Sequence, residues 1–221
     1  MRLPVSLAEV DAGNSSGSLE LYSAFAHSTV AVGNTRVSLE TDLTTHMAYV
    51  LNQSYVWDLG MMQFLAPARQ VRSQLIPFDT FRTDRIPVVY VHGTFSSPVT
   101  WAELGNVLSA DPLLRQRYQI WNFMYGSGNA LPISAGELRD ALTAEIQRLD
   151  PSGTNALLRQ MVIIGHSQGG LLTKLTATDT GDRLWRAISE KPLEESPLSE
   201  EQRAKLRDLL FLEPLPFVSR V

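Results

Sequence analysis

The sequence predicts an α/β fold with a parallel-centred sheet and flanking helices. Three observations carry this. Short continuously apolar runs rich in β-branched residues stand at 86–91 and 161–164, and residues 118–124 read as a further strand between them. A helical pattern follows each of them. The order strand, helix, strand, helix, strand, helix is the signature of βαβ units, whose crossovers are right-handed.

Residues 11–18, Asp-Ala-Gly-Asn-Ser-Ser-Gly-Ser, read as a flexible polar linker, so 1–18 is expected to be a flexible N-terminal segment. Val30 and Val32 alternate before Gly33-Asn34, and Val37 and Leu39 alternate after it, which signals a hairpin. Leu43, Met47, Val50 and Leu51 follow helical spacing, with Asp42 as N-cap. Residues 55–82 read only as a helix followed by a loop. Residues 19–85 are thus expected to form a hairpin-and-helix extension, and 86–221 a partial α/β domain.

Ile86-Pro87-Val88-Val89-Tyr90-Val91 suits a buried parallel strand, with Pro87 tolerated near its start. Ser97 and Pro98 read as an N-cap and first helical residue. Trp101, Leu104, Val107 and Leu108 are expected on one face of that helix. Tyr118–Met124 is the second strand. Ser134-Ala135-Gly136-Glu137 reads as a capping box, opening a helix that turns Leu138, Leu142, Ile146 and Leu149 inward. Met161-Val162-Ile163-Ile164 is the third strand, and 169–178 its helix. Residues 182–217 break the rhythm. They hold one helix, with a capping box at Ser199 and Gln202 and a Glu201–Lys205 pair. Phe217 to Val221 looks like the start of another strand.

Composition excludes several function classes. The 221 residues carry a formal net charge of -4, with no basic stripe of the kind nucleic acid requires. There are no cysteines, which removes thiol catalysis, disulfides and Cys-based zinc sites. No apolar run approaches the ~18 residues that span a bilayer. The first residues, Met1 to Val5, lack the apolar stretch of a signal peptide.

Gly165-His166-Ser167-Gln168-Gly169 matches the G-x-S-x-G pattern of a nucleophile elbow. A serine exposed at a sharp strand-to-helix turn needs small residues two before and two after it, because neighbouring strands crowd the turn. The helix that follows aims its N-terminus at developing negative charge. His92-Gly93-Thr94 directly follows the 86–91 strand, where a second oxyanion amide belongs.

Residues 86–181 therefore resemble the α/β-hydrolase superfamily, in its lipase- and esterase-like branch. The resemblance implies that Ser167 is the catalytic nucleophile and that the backbone N–H groups of Thr94 and Gln168 form the oxyanion hole. It implies a small-molecule or lipid ester substrate, no nucleic-acid partner, no transmembrane segment, and no metal or organic cofactor. Relatives of this type are often exported. Phe95 and Tyr125, on loops at the expected edge of the site, are candidates to line the substrate pocket.

In this family the chain order is Ser, then Asp or Glu, then His. The four histidines here, His27, His46, His92 and His166, all precede Ser167. His92 and His166 read as structural, and Asp179, Asp182 and Asp208 as solvated carboxylates. The expectation is a fold truncated after the nucleophile strand and helix, with the triad acid and histidine beyond Val221. The 221 residues alone are then expected to be inactive and to associate through the unpaired edge of the 161–164 strand, unless residues 210–221 cover it. An acyltransferase and a non-catalytic binding module remain open beside the hydrolase. Residues 182–217 are expected at the bottom or side of the sheet, since the helix after Ser167 runs away from the strand ends that frame an α/β site.

Overall fold

A computed structural model of the chain describes residues 8–12, 15–19, 22, 27, 29–38, 72–78 and 80–221. It comprises two compact units, Met1–Val50 and Leu51–Val221. The helix expected over 42–51, and residues 55–71, lie outside the described residues.

In the first unit, β1 (Ala8–Ala12) and β2 (Ser15–Leu19) pair antiparallel, with Ala8 opposite Leu19 and Ala12 opposite Ser15. This corrects the expected flexible linker over 11–18. A Ser- and Gly-rich segment offers few side chains to read, but its backbone N–H and C=O groups pair as well as any others. β3 (Thr29–Val32) and β4 (Thr35–Ser38) form the expected hairpin. Gly33 takes the positive φ, 59°, that the two-residue turn requires.

The second unit is built on a five-stranded sheet. Its strands are β5 (Gln74–Pro77), β6 (Ile86–Val91), β7 (Tyr118–Met124), β8 (Met161–Gly165) and β9 (Val218–Arg220). The spatial order is β5-β7-β6-β8-β9. β5 runs antiparallel to β7, and the other pairings are parallel. The fold class is as expected. The loop expected before residue 82 is corrected by β5, which joins the edge of the sheet. Pro77 sits at the end of that edge strand, where a missing donor is tolerated.

All six residues of β6 are buried. Val89 and Val91 join Trp121, Phe123, Met161 and Ile163 on one face of the sheet. Val88 and Tyr90 join Ile120 on the other. β6 pairs with β8 only from Val88 onward, so Pro87 lies before that ladder begins. The chain enters β6 past Gln119, whose side chain is fully engaged. Its Oε1 accepts from Arg82 N and Trp121 Nε1, and its Nε2 donates to the carbonyls of Arg82 and Arg85.

Helices cover both faces. α1 (Ala102–Ala110) and α2 (Pro112–Arg117) precede β7, and α3 (Leu131–Leu149) precedes β8. α4 (Gln168–Lys174), α5 (Arg183–Arg186) and α6 (Glu200–Leu210) follow it. Leu138, Leu142 and Ile146 of α3 face the core as the spacing predicts. α3 itself starts earlier than expected. Pro132 initiates the first turn from Ala130, and Ser134 is buried inside that turn rather than capping it. The inward face of α1 also differs. Trp101, Gly105 and Leu108 turn inward, while Leu104 and Val107 are exposed. The register is set by Phe78, whose ring lies 3.1 Å from where a Cβ on Gly105 would stand.

α3 ends at Asp150, whose carboxylate organises the turn into β8. Oδ2 accepts from Asn155 N at 2.8 Å, and Oδ1 from Thr154 N and Ser152 Oγ. The Asn155 amide, with Thr154 and Ser152 behind it, holds the carboxyl below its ordinary 3.8. A depressed pKa contributes stability that is fully present above the unfolded value and lost as pH falls through the folded one. Asp150→Asn should therefore be less stable than wild type at neutral pH. The gap should close as pH drops below 3.8. Urea midpoints measured across that window check it, and a gap that does not change with pH refutes it.

Residues 182–217 pack against α3 through Leu209 and Arg139. Trp185, Leu193 and Leu210 form their own small core with Leu206 and Phe211. Leu209 lies against Gly136 of α3, and Arg139 donates to the carbonyls of Leu175 and Glu213. The base of this excursion is tied at Thr180. Its N–H donates to Leu212 O, its Oγ1 donates to Leu210 O, and Leu212 N donates back to Oγ1. The predicted capping box at Ser199 and Gln202 and the Glu201–Lys205 pair are both present. β9 then pairs with the edge of β8 at Met161 and Val162, the first two of its five residues.

Candidate active site

β7 lies on one side of β6 and β8 on the other. Chain connections therefore diverge at the carboxyl ends of β6 and β8, the place where open α/β sheets form their crevices. The two sequence motifs fall on those two ends.

β8 runs into α4 with only His166 and Ser167 between them. Ser167 takes φ 55° and ψ -121°, a left-handed conformation rare for any residue but glycine. Its surroundings force this turn. A Cβ on Gly165 would stand 2.3 Å from Gly169 O and 2.5 Å from Thr173 Oγ1. A Cβ on Gly169 would stand 2.2 Å from Val91 O. All three distances are far inside van der Waals contact, so only glycine lets α4 press against the end of β6. His166 N donates to Val91 O, and Thr173 Oγ1 donates to Gly169 O, which fixes the elbow from both sides. Ser167 itself is exposed.

Gly93 brings the β6 loop to the serine. A Cβ there would lie 3.0 Å from Ser167 Cβ. The next residue, Thr94, is exposed, and its Oγ1 donates to Gln168 Oε1 at 2.8 Å. The structure thus brings Thr94 and Gln168 together beside the turn at Ser167. Among the described residues, neither backbone N–H has a protein acceptor.

Phe95 follows with φ 58° and is 54% exposed, so its ring is presented to solvent next to the turn. Its N–H donates to Ser127 Oγ. Tyr125 does not line the pocket as expected. It is fully buried, stacked on His92 at 4.4 Å and on Phe123, and its hydroxyl donates to His92 O at 2.8 Å. Burial pushes its phenol pKa upward, so it remains a neutral donor. Tyr125 and the buried Ser127 therefore hold the 92–95 loop from behind. Sequence reading missed this role, because a serine in Gly-Ser-Gly carries only a turn signal.

His92 is buried, with Nδ1 2.9 Å from Gly93 O, and burial lowers its pKa, so the ring is neutral. His166 is exposed. His27 lies in the other unit, edge-on to Tyr22. His46 lies outside the described residues. Among the described residues no hydrogen bond joins Ser167 Oγ to an imidazole. Asp182 pairs with Arg186, and Asp179 caps the turn at Gly181. No group of three or more possible metal ligands occurs among the described residues. No helix there is long and apolar enough to cross a membrane.

Fold and site together define a parallel-dominated α/β protein with a strained serine at the carboxyl edge of its sheet. No family model and no curated protein matches the chain. Among solved structures it is distantly similar in fold to a thermophilic esterase, Est2, from the Planctomycetes species Thermogutta terrifontis. The native form is 17% identical, with a TM-score of 0.36 over 67% of this chain and 60% of that one. The propionate-bound form is 16% identical, with a TM-score of 0.35 over 66% and 60%. The chain thus spans about 60% of the length of the esterase it resembles.

Proposed function

We propose that this chain carries the nucleophile half of an α/β-hydrolase, and that its protein cleaves carboxylic esters through an acyl-enzyme on Ser167. One observation carries the reading. Ser167 is held at positive φ by two glycines that nothing larger could replace, with its side chain exposed at the sheet's carboxyl edge. Strain of this kind persists only where the surroundings over-determine it, and it concentrates at functional sites.

The chemistry follows from the placement. Ser167 Oγ attacks the ester carbonyl carbon while its proton passes to a base. By the family resemblance that base is a histidine oriented by Asp or Glu, both after the nucleophile in chain order. The carbonyl oxygen becomes an oxyanion and accepts from the N–H groups of Thr94 and Gln168. Collapse of the tetrahedral adduct breaks the ester C–O bond, and the alcohol leaves with the proton. Water repeats the sequence on the acyl-serine, releasing the acid and restoring Ser167. Phe95 lines the acyl or alcohol side of the pocket.

The test is covalent labelling. A fluorophosphonate probe applied to the full-length gene product should modify Ser167, located by peptide mass spectrometry. Modification at Ser96, Ser97 or Ser127 instead, or at no serine, overturns the reading.

A further inference from the structure

The two proposed oxyanion amides come from different parts of the chain. Gln168 opens α4, whereas Thr94 sits on an exposed loop outside any strand or helix. An oxyanion hole works only if both donors reach one oxygen at roughly 2.7–3.1 Å. Something must fix the loop against the helix to that tolerance.

The loop's anchors are unequal in direction. Tyr125 holds His92 O and Ser127 holds Phe95 N, and both of these come from the segment after β7. They fix the loop to its own back wall. The Thr94 Oγ1 to Gln168 Oε1 hydrogen bond, 2.8 Å long, runs the other way, to the nucleophile helix. It engages side chains alone. Both backbone N–H groups stay without a protein acceptor among the described residues.

We propose that this hydrogen bond is a clasp that sets the spacing of the two oxyanion amides, making the Thr94 hydroxyl and the Gln168 side-chain amide positioning groups for the transition state. The inference rests on the reading of Ser167 as nucleophile. The clasp is solvent-exposed, so its loss should be felt little in folding. Its effect belongs in the chemical step, because a misplaced donor is felt where charge develops.

The experiment uses the full-length gene product with a short-chain p-nitrophenyl ester. Thr94→Val keeps the shape and removes the donor, and Thr94→Ser keeps the donor. Gln168→Met removes the acceptor at similar length. Thr94→Val should lower kcat by about 10- to 100-fold, less than outright loss of an oxyanion donor, with KM changed by less than about threefold. Thr94→Ser should recover most of that loss. The double variant should be no worse than the poorer single one, because both remove the same contact. If Thr94→Val fails to fold, the same kcat loss at unchanged KM is required of Gln168→Met. An unchanged kcat, a change in KM alone, a serine variant as impaired as the valine one, or additive losses would each overturn the clasp. Ser167→Ala separates the two levels. If it retains turnover, the nucleophile assignment fails and the clasp with it. If it is inactive while Thr94→Val matches wild type, the clasp alone is wrong.

Discussion

Replacing Ser167 by alanine should reduce ester turnover by the full nucleophile contribution, about 10⁶-fold in kcat where nucleophile and base act as a unit. The Thr94 hydroxyl is committed to Gln168. The fold should survive, because alanine tolerates the position as well as serine does. Glycine should tolerate it better. Ser167 sits at φ 55°, where a Cβ-bearing residue is strained by roughly 1–3 kcal/mol. Ser167→Gly should therefore unfold at a higher denaturant concentration than Ser167→Ala, with both inactive. Steady-state kinetics and paired urea melts on the full-length gene product read both effects. Residual turnover within a hundredfold of wild type, or a glycine variant less stable than the alanine one, would contradict the elbow.

The second large effect concerns two adjacent glycines with opposite responses. A Cβ on Gly169 meets Val91 O at 2.2 Å and His92 O at 2.5 Å. These are backbone atoms at the end of the central strand. Val91 O also accepts from His166 N, so it cannot retreat without losing that bond. Gly169→Ala should destabilise the protein by ~3 kcal/mol or more, at or beyond the upper end of ordinary overpacking. A Cβ on Gly170 comes no nearer than Gly165 O at 3.5 Å, an ordinary contact. There alanine relieves the entropy cost of glycine within a helix, and Gly170→Ala should gain roughly 0.5–1 kcal/mol. Urea midpoints of the two variants should move in opposite directions from wild type. If both move the same way, the packing of α4 against β6 is not as described.

The elements that the sequence announces are those whose side chains alone decide them. Ile86–Val91 is buried on both faces, and Met161–Ile164 is buried on one face and half-buried on the other, so their continuous apolar runs are visible without the structure. The elbow is equally legible, because crowding dictates glycine at 165 and 169 whatever else surrounds them. β5 was not legible. Gln74-Leu75-Ile76-Pro77 is short and ends in proline, and it is a strand because the edge of β7 lies beside it. β1 and β2 were hidden for a related reason, since backbone pairing in a Ser/Gly segment leaves no side-chain pattern. The start of α3 was misplaced because two N-terminal signals compete within four residues, and Pro132 prevails over Ser134. Tyr125 shows the limit at the site. A tyrosine just past a strand end looks the same whether it faces a ligand or the core, and only burial separates the two.

Thr180 gives residues 181–211 a closed neck. Its N–H and hydroxyl bind Leu212 and Leu210, so the chain leaves and re-enters the main body at nearly one point. What lies between has its own small core around Trp185, Leu193 and Leu210. Such a neck uncouples the length of the cassette from the sheet. Doubling the length of a flexible loop with fixed ends raises its closure entropy by only about 0.6 kcal/mol. This is the natural port for grafting. A foreign folded module spliced between Gly181 and Phe211 would inherit both ends already in place, and β8 and the elbow at its tip would not register the exchange.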